Sequence, residues 1–427
     1  MAVIKRQGSE GKGKLTRREF LRRAGAAGAM ALTSPFWFSY IRALGEVPIK
    51  IGHITPRTGF LGMLGDFAVK GATLAVEEAN ARGGVLGRRV DIVFEDSPNP
   101  GVAVEKATKL IERDRVDVLI GEISSASGLA VADVAKRLRK LYMNTGWNSD
   151  EGRGVRCNRY VFHVEGMNTM YTKAVGRYLF RKREMRAWYF LTADYAFGHD
   201  LLRVSRRLLR QLGGREVGSD LVPTGTPDYS SYILKVRAAR PDLLFLNLAG
   251  VDQTTFMKQW REFGAPFPVA GGVMDTAQFW AVGREALTGV WPALWYHKIK
   301  APGVADFVSR FRRRWGSPPD NQAWADYTGI KLVLRAMEET KSTDSAKLIE
   351  FFEKGPRFDI LKERRAWFAN WNHQLVQPMY IVVPKEPAKA EDKWDIWEVI
   401  ASVPGLEESL VEILPTPSEN PCELGSL

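Results

Sequence analysis

From Val47 onward, short apolar, β-branched runs alternate with longer stretches that divide into an apolar and a polar face. The first series predicts strands over 47–54, 89–95 and 116–120 and a strand end at 141–143, with helices over 66–81, 102–113 and 129–139 between them. Arg82-Gly83-Gly84 closes the first helix with residues that tolerate a left-handed backbone. A second series begins after Tyr160. It predicts helices over 168–183, 199–212, 229–239 and 252–263 and strands over 186–191, 216–222 and 242–248. Further helices are expected over 304–315, 323–340 and 345–354, with a late strand over 377–383. Strands alternating with helices imply parallel sheets, and two such series imply two α/β lobes. From residue 384 the chain is rich in Pro, Glu and Lys and reads as a surface extension, with Trp394 and Trp397 as its packing residues.

A chain of 427 residues, 45% hydrophobic and 26% charged, has the length and composition of a two-domain globular protein. No uninterrupted run of about 18 apolar residues is present to mark a membrane span. The formal net charge of +12 is concentrated at the amino terminus: nine of the basic residues and only two acidic ones lie within residues 1–45. The modest excess left for the body, with no basic stripe carrying interleaved aromatics, is not a nucleic-acid signature.

The amino-terminal segment reads as an address. Thr16-Arg17-Arg18-Glu19-Phe20-Leu21-Arg22 matches the twin-arginine export motif, a mildly apolar run follows from Ala24 to Phe38, and Ala43-Leu44-Gly45 offers small residues to a signal peptidase. Residues 1–45 are therefore expected to be a signal peptide and the processed protein to lie in the periplasm, not to be an integral membrane protein. The two cysteines, Cys157 and Cys422, are compatible with one disulfide fastening the tail to the body or with two unpaired buried thiols.

Catalytic constellations are missing from the sequence. His53, His163, His199, His297 and His373 show no metal-ligand spacing, and neither a GxSxG elbow nor a phosphate-cradling GxxxxGK[ST] occurs. Gly83-Gly84 with Gly87 follows a helix, so it is no dinucleotide fingerprint. Glu95 and Asp96 read as a loop and cap device. No cofactor and no metal is expected, and the protein is not expected to be an enzyme.

Three stretches carry a family resemblance: Ile51-Gly52-His53-Ile54-Thr55-Pro56-Arg57-Thr58-Gly59 with Gly65-Asp66 and Gly71; Glu77 through Val90 (EEANARGGVLGRRV) with Glu95-Asp96; and Asp194-Tyr195-Ala196-Phe197-Gly198. In these the chain, over roughly 49–383, resembles the branched-chain amino-acid-binding family of periplasmic solute-binding proteins, the type I receptors of ABC importers. The resemblance implies two Rossmann-like lobes joined by crossing hinge strands. Lobe 1 would take 47–165 plus 298–375, lobe 2 would take 166–297 plus 376–384, and 385–427 would be a C-terminal extension. It also implies a small-molecule ligand between the lobes and permease subunits as partners. A sensory receptor of the same fold and an exported enzyme are the competing functions.

The resemblance places candidate ligand contacts at Phe60 and Leu64 in the first loop and at Ser124 and Ser125 at a helix start, where backbone N–H groups suit a carboxylate or carbonyl oxygen. Thr145 and Trp147 follow the next strand; Trp147 either narrows the cleft and stacks on a flat ligand or packs at the lobe edge. Tyr195 and Phe197 would wall the second lobe. Amino-acid receptors of this kind place an acid in lobe 2 for the ligand ammonium. Here Val273 or Met274 falls at that position and Asp275 is slightly displaced, so an amide or an amine-free carboxylate competes with an amino acid as the ligand.

Overall fold

The computed structural model describes residues 47–182 and 185–427; the twin-arginine segment lies outside them. The first sheet is wholly parallel, in the order β2-β1-β3-β4-β5, with β1 Ile49–Thr55, β2 Val90–Asp96, β3 Val118–Gly121, β4 Tyr142–Asn144 and β5 Val161–His163. Its centre is β1, where Ile51 stands opposite Ile92 on one side and Val118 on the other. Helices α1 Gly62–Ala81, α2 Pro100–Glu112 and α3 Ser125–Arg137 make the crossovers. Strands covered on both faces need near-continuous apolar runs, and β3 (VLIG) is buried throughout.

Chain then leaves this lobe after β5. Helix α4 Asn168–Lys182 leads into a second parallel sheet ordered β7-β6-β8-β9, with β6 Ala187–Ala193, β7 Arg215–Val222, β8 Leu243–Asn247 and β9 Val269–Gly271. Helices α5 Ala196–Gln211, α6 Ser230–Ala239, α7 Gly250–Glu262 and the short α8 Thr276–Trp280 complete it. After β10 Trp291–Ala293 the chain returns to the first lobe through α9 Val304–Trp315, α10 Asn321–Thr340 and α11 Ser345–Glu353. Helix α10 lies so close on α1 that a Cβ at Gly71 would come within 2.1 Å of the Ala323 carbonyl oxygen.

A third passage follows the small hairpin β11 Trp367–Phe368 and β12 Leu375–Val376, and delivers β13 Met379–Pro384 to the second lobe. The passages are tied together: His163 N–H donates to the His373 carbonyl at 3.0 Å, and the Gln377 amide donates to the Val164 carbonyl at 2.6 Å.

The expected surface extension is instead part of the fold. Strand β14 Trp397–Val403 pairs antiparallel with β13, which also pairs with β10, and Trp397 is buried. The reason is its alternation: Trp397 and Val403 face in while Glu398 and Ile400 face out, a pattern obscured by the polar residues around it. Beyond it the tail crosses both lobes. Lys173 of α4 donates to the Leu414 carbonyl and pairs with Glu419 at 3.1 Å, and Arg207 of α5 donates to the Glu419 carbonyl. On the first lobe, Cys422 is disulfide-bonded to Cys157, and the Arg159 N–H donates to the Leu424 carbonyl. Of the two states left open for the cysteines, the bonded one is found.

Candidate functional site

The carboxyl ends of both parallel sheets face one another, the place where open α/β sheets take ligands. Loops from the two sides touch there. The Phe60 ring meets Tyr195 edge-on at 5.6 Å, and the Phe60 carbonyl oxygen would lie 2.5 Å from a Cβ on Gly250, at the start of α7. Gly250 also has a positive φ of 62°, so the residue type suits both the turn and the close approach. Asp275, at the start of α8, accepts hydrogen bonds from the Asn321 amide at 2.7 Å and the Gln322 amide at 3.3 Å, both on the first turn of α10. The lobes are closed on each other.

Several predicted residues reach this boundary. Phe60, Tyr195 and Asp275 do so directly. Phe197 is buried with its ring 5.7 Å from Tyr195. Ser124 and Ser125 begin α3, and a carboxylate of the protein lies just ahead of them. The N–H groups of Ile123 and Ser124 both donate to Oε1 of Glu122, at 2.9 and 2.8 Å, while Ser97 donates its hydroxyl to Oε2 at 2.6 Å. An internal carboxylate thus occupies the two amides just ahead of the helix, while the N–H groups of its first turn, at 125–127, are outside this set. Glu122 holds a positive φ of 67° to reach them. Ser125 is buried, and its oxygen accepts from the Ser149 N–H at 3.3 Å.

Other predicted residues are committed elsewhere. The Thr145 hydroxyl donates to Asp326 of α10 at 2.9 Å, beside the ring of His53 at 2.7 Å, so it serves the interior of lobe 1. Trp147 is fully buried. Its indole N–H donates to the Tyr142 hydroxyl at 3.0 Å, the Arg153 guanidinium lies 4.7 Å over its ring, and His163 meets it edge-on. Of its two expected roles, packing is the one found, because both its faces and its polar atom are in use. Leu64 packs with Leu61, Ala68 and Ile123 within lobe 1. Met274 is buried in the second lobe, its sulfur 3.8 Å from the Thr276 hydroxyl.

Sequence reasoning missed Glu122, Glu165, Asn321 and Gln322. Glu165 sits where the chain leaves β5. Its Oε1 accepts from Asn148 at 3.0 Å, from the Gly166 N–H at 2.9 Å and from the Tyr171 hydroxyl. Burial pushes its carboxyl up to about 8; the Tyr171 hydroxyl opposes that rise and Asp275 across the boundary adds to it. Burial likewise raises Glu122 to about 7 and lifts Asp275 and Asp320 above the usual carboxylate range. Arg153 is a buried cation nearby, as is Lys362. The Arg153 nitrogens donate to Gln374 Oε1 and to the carbonyls of Ser149, Trp147 and Glu165. Among the described residues, no group of three His, Cys, Asp or Glu is placed to hold a metal ion.

Two closed α/β lobes with aromatic and polar groups at their meeting sheet ends define a hinged solute-binding protein. Residues 48–390 match the family of periplasmic binding proteins, and the chain belongs to that family. Among curated proteins it is 27% identical over 316 residues to Leu/Ile/Val-binding protein homolog 7 of Brucella melitensis, covering 70% of this chain and 79% of that one. A periplasmic binding protein from Burkholderia mallei superposes with a TM-score of 0.82 at 26% identity, covering 89% of this chain and 99% of the other. A branched-chain amino acid ABC transporter periplasmic ligand-binding protein from Burkholderia xenovorans gives a TM-score of 0.77 at 26% identity, over 88% and 99%. These findings bear out the resemblance and the type I two-lobed fold.

Proposed function

We propose that this protein is the extracytoplasmic receptor of an ABC importer. It closes on a small solute of the size and polarity of an amino acid, an amide or a carboxylate, and performs no chemistry on it. Permease subunits would read the closed form. Twin-arginine export, inferred from residues 16–22, would deliver the folded chain to the periplasm.

The observation that carries this reading is the pair of contacts bridging the lobes, Phe60 with Tyr195 and Asp275 with Asn321 and Gln322. A ligand touching both sides favours the closed state over the open one, and only such differential affinity can shift the equilibrium. The hinge passages tied at His163–His373 and Val164–Gln377 supply an axis for the motion.

The test is a thermal-shift screen of small solutes, followed by small-angle X-ray scattering on the hits. A ligand that raises the melting point should also shrink the radius of gyration. A hit that is consumed, or that stabilises the protein without compaction, would overturn the reading.

A further inference from the structure

Between β10 of the second lobe and α9 of the first the chain makes one of its crossings, at 294–303. Part of that crossing and α9 line a cavity of about 490 Å³. None of its lining residues is among those that bridge the lobes at the sheet ends, so it is a separate place on the molecule. Ile299 and Val308 give it an apolar wall. Lys298, Arg312 and Arg313 line it as well, with the Ser309 hydroxyl, and no acidic residue is among the described residues that line it.

These cations have donors to spare. A guanidinium carries five N–H donors and an ammonium three. Lys298 gives one to Glu391 at 2.6 Å, Arg312 one to Asp392 at 3.0 Å, and Arg313 one to the Ser309 hydroxyl oxygen at 2.9 Å. The Glu391 side chain is 72% exposed, so its hold on Lys298 is that of a screened surface pair. Asp392 is the better-held acid, because it also accepts from the N–H groups of Trp394 and Asp395. Arg313 has no carboxylate partner among the described residues. The charges of Lys298 and Arg313 are therefore left for a ligand, and the Arg312 fork adds N–H groups beside them.

His297 lines the same cavity. It is only 4% exposed, and neither ring nitrogen has a hydrogen-bond partner within the protein. Burial first, then the Lys298 charge, pushes it down to about 3; Arg312 adds to this, and Asp392 and Asp395 oppose it. The neutral ring adds no cation of its own. A buried polar group without a partner is uncommon, and here it marks the wall of a site with room for an acceptor.

We infer that this cavity binds a phosphate group as its dianion, held by Lys298, Arg312 and Arg313, with any apolar body the ligand carries lying along Ile299 and Val308. Guanidinium forks match pairs of phosphate oxygens, and a doubly charged head balances both uncompensated cations where a carboxylate would balance one. Inorganic phosphate and a phosphate monoester share this chemistry. The site stands apart from the solute cleft and does not rest on the receptor reading.

The experiment is titration calorimetry on the processed full chain at about pH 8, where a phosphate monoester is dianionic, in about 0.15 M salt to screen weak surface binding. The probes are phenyl phosphate, inorganic phosphate and methyl phenyl phosphate, a diester with a single charge. The tighter of the first two names the source, and the diester should bind about 10-fold more weakly than it. Arg313→Gln should weaken that dianion about 10-fold, the worth of one charge-assisted hydrogen bond. Arg237→Gln, the same charge change on the exposed face of α6, should alter it by less than about 2-fold. On the unaltered protein, the bound dianion should slow acetylation of Lys298 by acetic anhydride, read by mass spectrometry, and leave that of exposed Lys258 unchanged. This last measurement needs no variant to fold. Failure of both dianions to bind, a diester as tight as the dianion, equal losses in the two arginine variants, or an unprotected Lys298 would each overturn the assignment.

Discussion

Asp150 sits in the 3-10 turn at 150–153 of lobe 1, yet its partners belong to lobe 2. Its own N–H donates to Asp200 of α5 at 2.7 Å, and its carboxylate accepts from the Thr169 N–H and hydroxyl at the start of α4. Arg203 pairs with Asp200 at 2.6 Å, and its guanidinium lies 3.7 Å from Asp150. Burial, with the Asp200 carboxylate next, raises Asp150 to about 7; the Thr169 bonds and Arg203 oppose the rise. The native state therefore holds a proton that the unfolded chain releases near its ordinary value of 3.8. Bound protons in excess in the native state make stability fall as pH rises through that window. Asp150→Asn removes the titration. The wild type should lose stability relative to this variant steadily from about pH 4 to about pH 7, measured as paired urea denaturation curves. A difference that does not vary with pH would contradict the placement of this carboxylate.

At the scale of elements, legibility followed apolar periodicity. Helix α9 matches its predicted span of 304–315, framed by Gly303 and Gly316 in left-handed conformations. Helices α3 and α10 were expected to begin at 129 and 323 but begin at Ser125 and Asn321. Their first turns are polar because they face the interlobe boundary, so a reading keyed to apolar spacing starts late at the turns that build the site. That is how Asn321 and Gln322 escaped notice. The three-residue strands β5, β9 and β10 are too short to show a period. The choice between the two roles of Trp147 was not legible for a related reason: nothing local reveals that Gly128 of α3 and Gly152 clear room for its indole. A Cβ on Gly128 would fall 2.3 Å from Trp147 Cδ1, and one on Gly152 would fall 2.1 Å from Trp147 Cη2. The ring is held by Tyr142 and Arg153 and has little freedom to yield. Gly128→Ala, normally favourable inside a helix, should instead destabilise the protein by about 1–3 kcal/mol in urea unfolding.

For the whole molecule, the family likeness made the two-lobed plan legible, while the final segment was read as an appendage. Its contribution to stability is testable through the Cys157–Cys422 bond, which joins residues 265 apart in sequence. Cys157→Ser should cost about 2–5 kcal/mol by equilibrium unfolding and expose the chain after Val403, which carries Glu407, Glu408, Glu412, Glu419 and Glu423, to a glutamyl endopeptidase. An unchanged midpoint with a resistant tail would show that the strap holds without the bond. The tail also sets a mechanical limit. Glu419 is gripped by Lys173 and Arg207 of one lobe, and Cys422 is bonded to the other. Three residues of chain stretch to only about 10 Å. On the proposed receptor reading, opening is therefore leashed along this flank: the lobes would part like a clam, with the widest travel on the far rim, and any swing beyond the leash must first prise Glu419 from its two cations.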